Sequence, residues 1–293
     1  MSTKLSLEAP TPLDYFASLV NDDTHLPLLE AAASIAQDDD ARLDVQSVLV
    51  AIDSLALQFK RRVPADAVPL QRLRLLNRYF FQEMGFAGNV NDHYDPRNSH
   101  LNAVLRSRRG LPITLALLYI EIARQIGLTA DGVSFPGHFL VKLRLRHGQQ
   151  PGEVLIDPCN GHSLSREELS ERLVPYRHQR NLPGDDDLPL ALFLQSATPR
   201  ETLARMLRNL KDVYRRAQDW PHLLQVQRRL VVLLPDDWDE RRDRGIAYAR
   251  LGCTGEATAD FEAYLAHRPG AEDHAVVVHR LDALRRAGPA QLH

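Results

Sequence analysis

Three polar side chains stand where the pattern of the sequence changes. Thr114 follows "RGLPI" at the start of a long apolar segment, His138 opens "HFLVKL", and Asp157 closes "VLID". A hydroxyl, an imidazole and a carboxylate are the groups that serve as nucleophile, base and orienting residue. If the two last segments form a β-hairpin, the start of one strand lies beside the end of the next. His138 and Asp157 would then meet, and the carboxylate would hold the imidazole in one tautomer.

The chemistry of Thr114 leaves two interpretations open. A thiol at a helix start is readily ionised. A threonine hydroxyl is not, so it would need an aligned histidine and an oxyanion hole to act as a nucleophile. A threonine in the first helical turn can instead cap free backbone N–H groups. We predict a vestigial or structural Thr114–His138–Asp157 triad, with an active Thr-dependent hydrolase or acyltransferase as the alternative.

The cysteines and histidines predict neither a disulfide framework nor a metal centre. Cys159 and Cys253 are the only cysteines, and two are too few for a framework. Cys159 should lie in the turn after Asp157, as a small apolar filler rather than a nucleophile, and Cys253 should be structural. We expect no metal, because no close-spaced pair of ligands occurs among His93, His100, His138, His147 and His162. No phosphate-binding glycine loop is present either, so no cofactor is predicted.

The periodicity predicts elements that could position these residues. Apolar residues at helical spacing indicate helices over 25–37, 43–63 and 67–85. The Gly- and Asn-rich segment 86–100 should be irregular. Pro112 suits the first position of a helix that ends at Gly127. Alternating segments over 130–135, 138–146 and 152–157 predict three strands, the middle one with an apolar face and a charged face. A capping box at Ser165 and Glu168 predicts a helix over 165–173.

The C-terminal part repeats itself with a period of 34 residues. Pro235 and Pro269 have this separation, as do Tyr214 and Tyr248. The second copy fits a tetratricopeptide unit, whereas the first is weaker: it has Lys211 and Leu223 where the second has Gly245 and Ala257. Residues 274–287 could form a terminal cap helix. We predict three regions: residues 1–180 as a globular domain with a helical N-terminal part, 181–194 as a linker, and 195–293 as helical repeats.

The segments "YDPRNSHLNAVLRSRRGLPITLALLYIEIARQIGL", "GVSFPGHFLVKL" and "LIDPCNGHSLSREEL" resemble the SirB-type (YchA-like) transglutaminase-like proteins of bacteria. A related module occurs in a eukaryotic F-box protein. The resemblance implies an α+β fold: a helical N-terminal cap, a papain/transglutaminase-like core with a central helix on a small antiparallel sheet, and C-terminal tetratricopeptide-like helices. It also implies that Thr114 occupies the nucleophile position, with His138 and Asp157 as its partners. Our leading interpretation is a non-catalytic protein-interaction module.

Composition limits the partners. The formal net charge of −2 gives no basic excess, so we expect neither nucleic acid nor a membrane surface as a partner. The N-terminus lacks a signal-peptide pattern and no apolar run has the length of a membrane span, which predicts a cytoplasmic protein. We expect a protein or peptide to bind the repeats. A second binding place could be a cleft near Arg106, Arg108 and Arg109, although a solvated helix end is the simpler interpretation of that cluster.

Overall fold

The computed structural model describes residues 10–147, 150–180, 182 and 189–287, with the backbone alone for 146, 147, 150, 151 and 287. Its helices are α1 (Pro12–Leu19), α2 (Leu28–Ser34), α3 (Val45–Lys60), α4 (Pro69–Asn77), α5 (Leu101–Ser107), α6 (Pro112–Gln125), α7 (Arg166–Arg180), α8 (Leu190–Phe193), α9 (Pro199–Ala217), α10 (Trp220–Leu233), α11 (Trp238–Arg250), α12 (Thr254–His267) and α13 (His274–Ala287). Its strands are β1 (Ala87–Gly88), β2 (Arg109–Gly110), β3 (Thr129–Val133), β4 (Leu140–His147), β5 (Gln150–Ile156) and β6 (Ser163–Leu164). Within these ranges, no helix is both long and apolar enough to cross a bilayer.

The described residues fall into two compact units. The core unit contains residues 27–36 and 43–206, and the repeat unit contains residues 10–26, 37–42 and 207–287. The contiguous boundaries given above, 1–180, 181–194 and 195–293, remain a prediction. Residues 181 and 183–188 of the predicted linker lie outside the described residues, and residues 190–193 form α8. The α+β class is confirmed.

A four-stranded antiparallel sheet in the order β3-β4-β5-β6 lies in the core unit. Val133 pairs with Leu140 and Val141 with Ile156, so the end of β5 lies beside the start of β4. The three predicted strands are therefore present. The short β6 was not predicted, because two paired residues are too few to produce an alternating pattern.

Helix α6 is the central helix of the core unit and packs on β3 and β4. Its residues are buried almost throughout, which is why its sequence is apolar on every side rather than along one stripe. The helix ends as predicted. Gly127 has a positive φ of 77°, and the N–H of Leu128 reaches back to the carbonyl of Ala123 at 2.9 Å. Because α6 is buried almost throughout, it fixes the position of Thr114 in its first turn.

The charged face of β4 is covered in part: Lys142 is buried, whereas Arg144 on the same face is exposed. Lys142 is only 7% exposed, and its ammonium donates to the carbonyl of Leu194 at 2.8 Å. Leu140 and Leu190 belong to one apolar cluster that also contains residues of α7. Burial of a lysine is possible here because its charge satisfies a carbonyl at the end of α8. The predicted alternation is correct, but a charged residue type does not mean exposure at Lys142, as it does at Arg144.

The two copies of the repeat pack their helices differently, which is why only one of them matches the tetratricopeptide pattern well. In the second copy, a Cβ on Gly245 would lie 2.8 Å from the ring of Phe261, so only glycine fits between α11 and α12. In the first copy the ammonium of Lys211 is 2.6 Å from the Asp243 carboxylate and also contacts Glu240. An ion-pair network between α9 and α11 therefore takes the place of close small-residue packing.

Helix α1 and residues 37–42 also belong to the repeat unit. Arg229 of α10 is completely buried, and its guanidinium makes two hydrogen bonds to the carboxylate of Asp38, at 2.7 and 2.8 Å. The same guanidinium lies 4.8 Å from the ring centre of Phe16 in α1. A buried arginine in this position is stable only with such a paired carboxylate.

Candidate functional site

Thr114 lies in the first turn of α6, as predicted, but its hydroxyl points to the preceding loop. The side chain is fully buried, and Oγ1 donates to the carbonyl oxygen of Asn98 at 2.6 Å. The same carbonyl accepts the N–H of Leu111 at 3.1 Å. The helix has no side-chain cap, so the proposed capping role for Thr114 is wrong. The hydroxyl instead ties the loop before α5 to the start of α6.

Asn98 is a residue that the sequence analysis missed. It is 3% exposed and lies in the predicted irregular segment, within a short 3-10 turn over Pro96–Ser99. Its side-chain oxygen accepts a hydrogen bond from Asn89, and its side-chain nitrogen donates to the carbonyl of Asp92. A polar side chain with both ends satisfied inside one loop indicates a loop with a single fixed conformation. The density of Asn and Asp in this segment was the available signal.

His138 and Asp157 meet at the end of the β4–β5 hairpin. Nε2 of His138 lies 3.0 Å from Oδ1 of Asp157. A turn at Gly137, with φ of 71°, brings His138 back toward the sheet, and its backbone N–H donates to the carbonyl of Phe135. Asp157 immediately follows β5. His138 and Asp157 are therefore adjacent, as expected for two strands that form a hairpin.

Asp157 is held as a carboxylate. Burial opposes its ionisation, but the hydrogen bond and charge of His138, the backbone N–H of Cys159 and the nearby Arg172 outweigh burial and lower its pKa to about 2. The N–H of Cys159 is 3.0 Å from Oδ1, and Arg172 is 3.6 Å from Oδ2. This carboxylate can therefore orient the imidazole of His138 at any physiological pH.

Cys159 lies in the turn after Asp157, as predicted, and is not at a helix start. Burial and the negative charge of Asp157 raise the pKa of its thiol to about 12. A thiol that stays protonated at neutral pH is a poor nucleophile. The thiol also fills space, because a Cβ on Gly88 would lie 3.0 Å from its sulfur.

The arginine cluster divides into two groups. A cleft of about 440 Å³ is lined by Arg106 and Arg109 together with Asn89, Asp95, Arg97, Asn98, Ala103 and Ser107. Arg108 does not line it. Its backbone is left-handed, with φ of 59°, and its guanidinium lies 4.6 Å from the ring centre of Phe86. Arg106 and Arg109 are therefore the members of the cluster that line the cleft.

Comparison with known proteins gives the family. A family model described as the transglutaminase-like superfamily matches residues 46–208, and a tetratricopeptide repeat model matches residues 210–282. A UPF0162 protein of Xylella fastidiosa strain 9a5c is 38% identical over 267 residues, which are 90% of this chain and 89% of that protein. A UPF0162 protein of Vibrio cholerae is 29% identical over 226 residues, 76% of this chain and 79% of the relative. Human F-box only protein 21 is 40% identical over 72 residues, 25% of this chain and 12% of its own length. No solved structure gives a significant match.

The fold, the hairpin site and these matches define a transglutaminase-like core joined to tetratricopeptide repeats. The chain belongs to the UPF0162 family of the transglutaminase-like superfamily. Repeats of the tetratricopeptide class present surfaces for protein–protein contacts.

Proposed function

We propose that this protein is a non-catalytic interaction module, in which a degenerate transglutaminase-like core carries tetratricopeptide repeats that bind a protein or peptide. The observation that supports this most strongly is the environment of Thr114. Its hydroxyl has no exposed surface and is engaged by the carbonyl of Asn98. A nucleophile must be reached both by its base and by the substrate. We also propose the SirB-type subfamily on the motifs quoted above, and a cytoplasmic location, with which two free cysteines agree.

The cleft beside Arg106 and Arg109 is the second proposed contact. Of its charged residues, Arg97 is neutralised by a close pair with Asp95, at 2.7 Å. Arg106 and Arg109 remain as an excess of positive charge, which favours an acidic segment of the partner. The loop that supplies Asn89 and Asp95 also exposes Val90 and Tyr94, by 90% and 55%. Exposed apolar side chains beside a polar cleft are common at protein-binding sites.

A charge-reversal experiment tests this proposal. The unmodified protein and its Arg106→Glu and Arg166→Glu variants would each be immobilised on a resin. Each resin would be incubated with lysate of the organism that produces the protein, and the bound proteins would be quantified. Arg166→Glu is the matched control, because Arg166 is also exposed and belongs to the same unit but lies on α7. We expect a specific set of proteins that is retained by the control and reduced by Arg106→Glu. Proteins enriched equally by all three chains would argue against the cleft, and no enrichment at all would argue against an interaction module.

The His138–Asp157 pair favours a second candidate function. An imidazole 3.0 Å from a carboxylate is the base half of a Thr-dependent amidase, protease or acyltransferase. Thr114→Cys separates the two candidates. A working site would give the introduced thiol a lowered pKa and rapid alkylation by iodoacetamide at pH 7. The buried environment of Thr114 leads us to expect alkylation slower than that of Cys253.

A further inference from the structure

A group of three side chains at the hairpin end can do something that the interaction function does not use. We propose that His138, Asp157 and Cys159 bind a divalent transition-metal ion of the zinc type. One ligand atom from each residue lies within 4.8 Å of those of the other two. This inference is independent of the proposed interaction function.

The donor set selects the class of ion. A thiol, an imidazole and a carboxylate together suit Zn²⁺ and its first-row neighbours, whereas Mg²⁺ and Ca²⁺ prefer oxygen ligands alone. Zinc bonds of roughly 2.0–2.3 Å in a tetrahedral arrangement place neighbouring donors roughly 3.3–3.8 Å apart. In the structure, His138 Nε2 and Asp157 Oδ1 are 3.0 Å apart, and all three donor atoms lie within 4.8 Å of one another. The donor separations expected around zinc fall between these two values. Small side-chain rotations would complete three protein ligands and leave a fourth position for solvent.

The backbone holds the three donors in place. The backbone N–H of His138 donates to the carbonyl of Phe135, which fixes its position. The N–H of Asp157 donates to the carbonyl of His162 at 2.9 Å. The carbonyl of Cys159 accepts the N–H of Gly88 at 3.1 Å, which anchors the turn to β1. Donors on a fixed backbone lose little conformational entropy when an ion binds.

Charge balance also favours a divalent ion. Binding replaces the thiol proton of Cys159, so a thiolate and the carboxylate of Asp157 neutralise the two positive charges of the ion. Arg172 is the opposing group, since its guanidinium lies 3.6 Å from Oδ2 of Asp157. Its side chain is 42% exposed and can move into solvent, where its charge is screened. We therefore expect Arg172 to weaken the site without preventing binding.

No closely spaced pair of ligands marks this site in the sequence, which is why no metal was predicted from it. Here His138 and Asp157 are 19 residues apart, and the hairpin brings them together. Cys159 adds a third donor from the turn that follows.

Metal titration of the full-length protein, first treated with a chelator, tests the proposal. We expect one equivalent of Zn²⁺ by calorimetry, and one of Co²⁺ with a thiolate-to-cobalt charge-transfer band in the near ultraviolet. Cys159→Ser should remove that band and weaken Zn²⁺ binding by about tenfold or more. The matched control Cys253→Ser should change neither, and Arg172→Gln should tighten binding about threefold or more.

Two results would overturn the proposal. One is the absence of stoichiometric Zn²⁺ binding at micromolar concentration by the folded wild type. The other is a charge-transfer band that survives in Cys159→Ser. If Cys159→Ser does not fold, His138→Asn provides the equivalent test through the affinity for Zn²⁺, and unchanged affinity would likewise overturn it.

Discussion

Replacing Thr114 with valine isolates the hydrogen bond on which the structural interpretation depends. Valine has the same branched shape, so the change removes the hydroxyl without creating a cavity. The lost contact is the 2.6 Å bond from Oγ1 to the carbonyl of Asn98, in a place with no exposed surface. If this bond ties the loop to α6, its removal should loosen the loop while the rest of the core unit stays intact.

The expected magnitude follows from what remains at Asn98. A buried neutral hydrogen bond contributes about 0.5–1.5 kcal/mol net, and a carbonyl left without any donor would add about 1–3 kcal/mol. The carbonyl of Asn98 keeps the N–H of Leu111, at 3.1 Å, so the second amount does not apply. We expect Thr114→Val to lower the free energy of unfolding by about 1 kcal/mol, which corresponds to a decrease in Tm of about 2–4 °C.

Hydrogen exchange provides the local assay. A loss of about 1 kcal/mol in local opening free energy should speed exchange of the amides of residues 96–100 by about fivefold. Thr202→Val is the matched control. Thr202 is also buried, but its hydroxyl donates to the carbonyl of Thr198, immediately before its own helix α9, so its loss should leave residues 96–100 unchanged. Unchanged exchange in Thr114→Val, or equal acceleration in both variants, would refute the proposed tie.

Three further predictions concern stability. The pKa of Asp157 is lowered from 3.8 to about 2, so its ionised carboxylate contributes about 2 kcal/mol of stability. This stability is present above pH 4 and is lost as the pH falls toward 2. Acid unfolding of the wild type should show this loss, and Asp157→Asn should abolish that part of the pH dependence. Asp38→Asn should destabilise the repeat unit by about 3 kcal/mol in denaturant unfolding, because a neutral amide replaces the carboxylate that pairs with the buried guanidinium of Arg229; a loss below about 1 kcal/mol would contradict the buried pair. Gly245→Ala should cost about 1–3 kcal/mol through overpacking, whereas Gly255→Ala, which meets nothing within 4 Å, should be neutral or stabilising in the same melts; equal effects would contradict the packing argument.

The sequence was sufficient for those parts of the fold that local patterns determine. Alternation placed β4 and β5, and the hairpin geometry then followed, including the meeting of His138 with Asp157. The capping box at Ser165 and Glu168 is present with both of its hydrogen bonds. In each case the signal lies within a few residues of the feature that it determines.

Features that depend on distant backbone atoms could not be predicted in the same way. The partner of Thr114 is a carbonyl oxygen, which every residue has, so no residue type marks it. The burial of Lys142 depends on α8, about fifty residues later, whose carbonyl accepts its charge. Lys211 made the first copy of the repeat a weaker match in sequence, and its acidic partners in α11 explain why a lysine is there. In all three cases the side chain is held by a contact with a residue that is distant in the sequence.

The most direct measurement for the central claim is turnover. The wild type, Thr114→Val and His138→Asn would be assayed side by side for hydrolysis and amine transfer on peptide, glutamine-containing and ester substrates. A non-catalytic core predicts no turnover by the wild type beyond that of the two variants, because the hydroxyl of Thr114 is buried and bound to Asn98. A wild-type activity that both substitutions abolish, in variants that remain folded, would contradict the account and establish a Thr-dependent enzyme.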